Sequence, residues 1–218
     1  DQTLVLLGAP RGKDIDSALK ALRALDPAGH FAPNHVYEPA GGALAAIAAQ
    51  PAAGVGATGM SIGMIDGGVA AHPGLARASI EQRGFAPGAP RASGHGTAVA
   101  SLLVGQDERF TGAATGARLL VADVYGGDPA SGSAHRIARA IGWLAARGAR
   151  VITISLVGPP NPLIEHAVRG ARARGILIVA AVGNDGPAAP PQYPASYPDV
   201  VAVTGVDAKG RTSRLGTC

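Results

Sequence analysis

Apolar residues fall into short continuous runs from residue 61 onward, and between those runs they recur every three or four positions. The runs predict strands at Ser61–Ile65, Leu119–Val124, Val151–Ser155, Ile176–Ala181 and Val200–Val206. The stretches between them predict helices at Thr97–Val104, Ser133–Arg147 and Pro162–Arg174. Ile137, Ile141, Leu144 and Ala145 fall on one face of the second helix. The third carries Asn161 as its N-cap, Pro162 at its first position and Gly175 just beyond its end. Near-continuous apolar strands joined by helices imply an α/β fold whose mostly parallel sheet is buried on both faces. Ligands in such sheets sit beyond the carboxyl ends of the strands.

Before residue 61 the rhythm is weaker. Thr3–Leu7 predicts a short strand and Asp16–Leu25 a helix with Leu19, Leu22 and Leu25 at helical spacing. A short strand is expected at His35–Tyr37. Residues 40–59 are rich in Gly and Ala, so they predict a linker with a short helix and a domain boundary near residue 50.

Length and composition add limits. A chain of 218 residues holds one sizeable domain. Its 32 Gly and 17 Pro are scattered among apolar segments, which indicates many tight turns. No apolar run reaches the roughly 18 residues of a membrane span. The net charge of +4 is mostly arginine, but Arg139, Arg147, Arg150, Arg169, Arg172 and Arg174 punctuate amphipathic helices without interleaved aromatics. They predict solvated faces, and no nucleic-acid partner is expected. The single cysteine, Cys218, excludes an internal disulfide.

Three turns carry candidate chemistry. Asp66 ends an apolar strand and precedes two glycines. His95 lies between Gly94 and Gly96 at the start of a helix. Asn184 follows the run Ile176–Val182 and Gly183. Alone, each reads as an ordinary turn. Together they offer a carboxylate to orient an imidazole, an imidazole to act as base, and an amide to donate to a developing oxyanion.

These segments, with Ser155-Leu156-Val157-Gly158 and Tyr193–Val206, resemble the subtilisin family of serine peptidases (subtilases) between residues 62 and 206. The 29 positions from Asp66 to His95 match that family's Asp-then-His spacing of roughly 30. The resemblance implies a three-layer subtilisin-like fold and a serine endopeptidase using an Asp-His-Ser triad. Asp66 would orient His95, His95 would take the serine proton, and Asn184 would donate in the oxyanion hole. Ser155, Leu156, Val157 and Gly158 would line the substrate, although the family's run has glycine where Val157 stands, which narrows the adjoining pocket. Ala181, Val182 and Gly183 would form the wall of the primary pocket, and Ser131 and Gly132 are candidates for the substrate's other edge.

The family's serine follows its histidine by roughly 150 residues, whereas 123 positions separate His95 from Cys218. Leu215-Gly216-Thr217-Cys218 imitates only the opening of the expected Gly-Thr-Ser run, and Thr212-Ser213 has no helix behind it. Residues 51–218 are therefore expected to be the N-terminal part of a subtilisin-like catalytic domain, incomplete at the C-terminus. Residues 1–50 are expected to be an N-terminal extension, with His35-Val36-Tyr37-Glu38-Pro39 resembling the end of an inhibitory propeptide; an ordinary extension packed on the domain is the alternative.

The partner expected is a peptide or protein substrate, together with the chain's own propeptide. No cofactor is required. Calcium is common in the family, yet the sequence locates no site for it, and Asp123 and Asp128 lack ligand spacing. A secreted or periplasmic location is implied by the resemblance alone. Two other readings stand: a non-catalytic peptide-binding module that keeps the cleft, and a flavodoxin-like nucleotide binder. The literal Gly54-Val55-Gly56-Ala57-Thr58-Gly59 precedes a strand instead of following one, so it predicts a linker and not a dinucleotide site.

Overall fold

The computed structural model describes residues 4–40, 56–108, 110–186 and 188–206. Eight strands and four α-helices alternate along them. The strands are β1 (Glu38–Pro39), β2 (Ser61–Asp66), β3 (Ser79–Gly84), β4 (Arg118–Asp123), β5 (Val151–Ile154), β6 (Leu156–Val157), β7 (Leu177–Ala181) and β8 (Val200–Val203). The helices are α1 (Ile15–Leu25), α2 (Gly94–Val104), α3 (Ala134–Ala146) and α4 (Pro162–Arg172). Six strands form one sheet in the order β3-β4-β2-β5-β7-β8. Every pairing within it is parallel.

The alternation of side chains across the strands builds two cores. Ile62 and Met64 of β2, with Leu119 and Val121 of β4, face one side and pack with Ala100 and Val104 of α2. Ile65, Leu120, Ala122, Ile152 and Ile154 face the other and pack with Ile137, Ile141 and Leu144 of α3 and with Ile164 and Val168 of α4. The result is helix, sheet and helix in three layers. Each fully buried Leu or Ile in these layers stabilises the fold by about 1.5–3 kcal/mol relative to exposure.

One expected strand does not form and one strand was not expected. Residues 4–7 form no strand: Leu4, Val5, Leu6 and Leu7 are all exposed, so an apolar run without a partner strand or core acquires no structure. Conversely β3 arises from the polar run Ser79-Ile80-Glu81-Gln82-Arg83-Gly84. It lies at the sheet edge, where charge is tolerated and guards against further pairing. Glu81 there pairs with Arg118 and Arg147, and the Gln82 amide both donates to and accepts from the Val69 backbone.

The short strand expected at His35–Tyr37 is displaced by a residue or two. Val36 makes an isolated antiparallel bridge to Ser133, and the strand itself is β1, antiparallel to β6. Of the linker with a short helix expected at residues 40–59, residues 41–55 lie outside the described residues, as does the start of the Gly54–Gly59 stretch. Thr212-Ser213 and Leu215–Cys218 lie outside them too. No described helix is long and apolar enough to cross a membrane.

Candidate active site

Asp66 is the last residue of β2 and is 2 % exposed. His95 is the second residue of α2, which starts at Gly94, three positions before the expected Thr97. Ser93 caps that helix, its hydroxyl accepting from the Gly96 N–H at 2.9 Å. Two glycines allow the helix start to settle on the strand end. A Cβ on Gly96 would lie 2.4 Å from the Gly67 carbonyl oxygen, and one on Gly67 would lie 2.5 Å from the Ser93 hydroxyl. Any side chain at either position would force α2 away from β2. Gly94, by contrast, has open space around it.

The pairing that follows is direct. Nδ1 of His95 lies 2.9 Å from Oδ1 of Asp66 and 2.8 Å from Oδ2. Oδ1 also accepts from the Gly67 N–H at 2.6 Å. Holding Nδ1–H against a carboxylate leaves the other ring nitrogen to exchange a proton with substrate. The Asp66 hydrogen bond, more than the nearby charge, raises the His95 pKa above its ordinary value, while burial opposes the rise. A hydrogen bond to the Ala40 backbone raises it further.

Ala40 reaches His95 because residues 33–40 run along a cleft between two other segments. On one side the Tyr37 N–H donates to the Gly132 carbonyl at 2.5 Å, and the Ala134 N–H donates to the His35 carbonyl at 2.9 Å. On the other, Glu38 and Pro39 pair with Val157 and Leu156, and the Ala40 N–H donates to the Ser155 carbonyl at 2.9 Å. The Asn161 amide caps α4 through Leu163 and donates to the Pro33 carbonyl at 2.8 Å. This is a peptide docked as an added strand between two backbones.

Comparison with known proteins bears on this arrangement. Residues 57–215 match the sequence model of the subtilase family of S8 peptidases. The chain belongs to the subtilase family. It is 36% identical to subtilisin Savinase of Lederbergia lenta over 163 residues, which are 71% of this chain and 58% of that protein. Identity is also 36% to the major intracellular serine protease of Bacillus subtilis (strain 168), over 52% of this chain and 38% of that one. Among solved structures, the patellamide maturation protease PatA matches with a TM-score of 0.65 and 30% identity, covering 74% of this chain and 62% of that one. The chain thus spans between 38% and 62% of the length of these relatives.

Within this subtilase, Ser155, Leu156, Val157, Gly158 and Gly132 all flank residues 37–40. Ser131 does so less directly: its hydroxyl contacts Asp128 and its carbonyl accepts from Arg136. Ala181 ends β7, and Val182 and Gly183 follow it; a Cβ on Gly183 would touch the Val157 side chain at 3.4 Å. Asn184 leaves the same carboxyl edge of the sheet as Asp66 and is exposed. The Asp123 oxygens accept from the backbone N–H groups of Arg91, Tyr125 and Gly126. Asp128 caps a short 3-10 turn. Among the described residues no group of three or more His, Cys, Asp or Glu is placed to hold a metal.

Sequence reasoning missed the anchors of the docked segment. Tyr37 is fully buried, its hydroxyl donating to the Pro159 carbonyl at 2.5 Å. Tyr125 reaches the Tyr37 carbonyl at 3.3 Å. The available signal was a lone Tyr in a short extended stretch, together with Gly132 and Gly158, whose missing side chains make its space.

Proposed function

We propose that this chain carries the acid–base half and the substrate cleft of a serine endopeptidase, with residues 51–218 forming the N-terminal part of its catalytic domain. Asp66 fixes the tautomer and direction of His95. His95 takes the proton of a serine alcohol supplied from outside the described residues. The alkoxide oxygen adds to the substrate carbonyl carbon, and Asn184 donates to the resulting oxyanion. His95 returns its proton to the leaving amine as the C–N bond breaks. Water, deprotonated by His95 in turn, then frees the carboxylate.

The observation that carries this reading is the 2.9 Å bond between His95 and Asp66, beside a cleft in which residues 38–40 lie as an added strand against β6. Residues 33–40 act as the end of an inhibitory leader, an occupant that mimics substrate. Export to a secreted or periplasmic location rests on family likeness alone, since one relative is intracellular by name.

The test uses protein expressed from the complete gene and a serine-directed organophosphorus probe. The wild type is expected to be labelled, and His95→Ala to lose labelling because the alcohol loses its base. Unchanged labelling of His95→Ala removes His95 from the mechanism. A folded wild type that is never labelled supports a non-catalytic peptide-binding module in its place.

A further inference from the structure

We propose that the Tyr125 hydroxyl is a substrate-binding group, which holds the backbone carbonyl of whichever peptide residue takes the place of Tyr37. The proposal rests on the peptidase reading above and adds that the substrate is an extended chain reaching at least that far along the cleft.

The pairing of the docked segment with residues 132–134 lacks one rung. Val36 and Ser133 face each other across an antiparallel bridge. The Tyr37 N–H bonds the Gly132 carbonyl on one side of it, and the Ala134 N–H bonds the His35 carbonyl on the other. In such a ladder Tyr37 and Gly132 exchange two bonds, so the Gly132 N–H should return to the Tyr37 carbonyl. It turns away instead and donates to the Pro129 carbonyl at 3.4 Å, closing the 3-10 turn Pro129–Ser131. The Tyr37 carbonyl is served by the Tyr125 hydroxyl, 3.3 Å away.

Tyr125 is built into that position. It follows β4, where the Asp123 carboxylate accepts from the N–H groups of Tyr125 and Gly126, each at 2.9 Å. The residue is 5 % exposed and belongs to the same core as Tyr37. Gly132 makes the opening: a Cβ there would collide with the Tyr125 ring and lie 2.6 Å from the Tyr37 carbonyl oxygen. The glycine that fails to donate is the one that lets the phenol reach the carbonyl.

The direction of the bond is fixed by chemistry. A carbonyl only accepts, so the phenol donates. Burial first, and then the carboxylates of Asp66, Glu38 and Asp123, push the Tyr125 pKa upward, which keeps the proton on the oxygen. Every residue presents the same carbonyl, so this bond selects an extended chain of sufficient length and no particular side chain.

Two comparisons test the proposal. The first uses the 218-residue chain, in which the docked segment stands in for substrate. Tyr125→Phe removes the hydroxyl and keeps the ring. Amide exchange at Tyr37 and Ala40 is expected to quicken about fivefold, while that of Leu120 and Ile152 in the core stays unchanged. Unchanged exchange at Tyr37 overturns the proposal. Equal quickening of the core amides also overturns it, since Tyr125 would then be a packing residue only.

The second comparison uses protein from the complete gene and the serine-directed probe. The peptide Pro-Asn-His-Val-Tyr-Glu-Pro-Ala, the sequence of residues 33–40, is expected to slow labelling. A trans alkene in place of the amide between Tyr and Glu should weaken that protection, and the weakening should be about fivefold smaller in Tyr125→Phe than in the wild type. Equal weakening in the two proteins overturns the proposal. If the variant does not fold, an analogue that protects the wild type as well as the parent peptide does so too. A wild type that is never labelled overturns the peptidase reading, while the exchange comparison still decides whether Tyr125 holds the strand.

Discussion

Leu119, Leu120, Val121 and Ala122 of β4 are 0 % exposed, whereas Val201 and Val203 at the far edge of the same sheet are each 44 % exposed. The candidate site straddles that gradient. Asp66 and His95 stand where β2 is covered on both faces, and a helix cap, two glycines and a carboxylate fix their geometry. Asn184 leaves β7 next to the open edge and is itself exposed. Side chains held by close packing have one geometry, while an exposed amide has no packing to hold its rotamer. The proposed acid–base pair is therefore fixed by packing, whereas the proposed oxyanion donor is placed by its strand position.

Breaking the better-built half should cost most. Asp66→Asn keeps the shape but cannot hold the imidazolium, so kcat of the protein from the complete gene should fall about 10⁴-fold, a loss of the size known for subtilisin's own aspartate. A fall under about tenfold would mean that Asp66 is not the orienting group. Asn184→Ala should cost less, about 10²–10³-fold in kcat with KM little changed, as for the oxyanion amide of subtilisin itself. A change confined to KM would make Asn184 a binding residue and not an oxyanion donor.

What the sequence revealed follows the same division. The Asp66 and His95 turns were legible only in combination, since each alone reads as an ordinary turn and it is their order and 29-residue spacing that resemble the subtilase pattern. The parallel order was legible because strands covered on both faces read as continuous apolar runs. β3 was not, since an edge strand needs no apolar alternation and Glu81 and Arg83 hide it. Leu4–Leu7 misled for the converse reason, an apolar run with nothing to pack on. Val36 and Tyr37 showed a strand's alternation, but nothing in their sequence names Gly132, Ser155 or Pro159 as partners about a hundred residues away.

The His95 titration brings these threads together. The Asp66 hydrogen bond raises the histidine pKa, so the charged pair stabilises the fold fully below the ordinary histidine value of about 6.5. That contribution is lost as pH climbs through the raised value. Catalysis has the opposite sign, because the base must be neutral, and activity should increase across the same interval.

The most direct measurement is a pH titration of the His95 ring resonances by NMR in this 218-residue chain, which needs no nucleophile. The account predicts a midpoint above that of a free histidine, falling toward or below it in Asp66→Asn and falling partway when the Ala40 contact is removed by trimming residues 1–40. An ordinary midpoint, indifferent to both changes, would contradict a carboxylate-held imidazole facing a docked peptide.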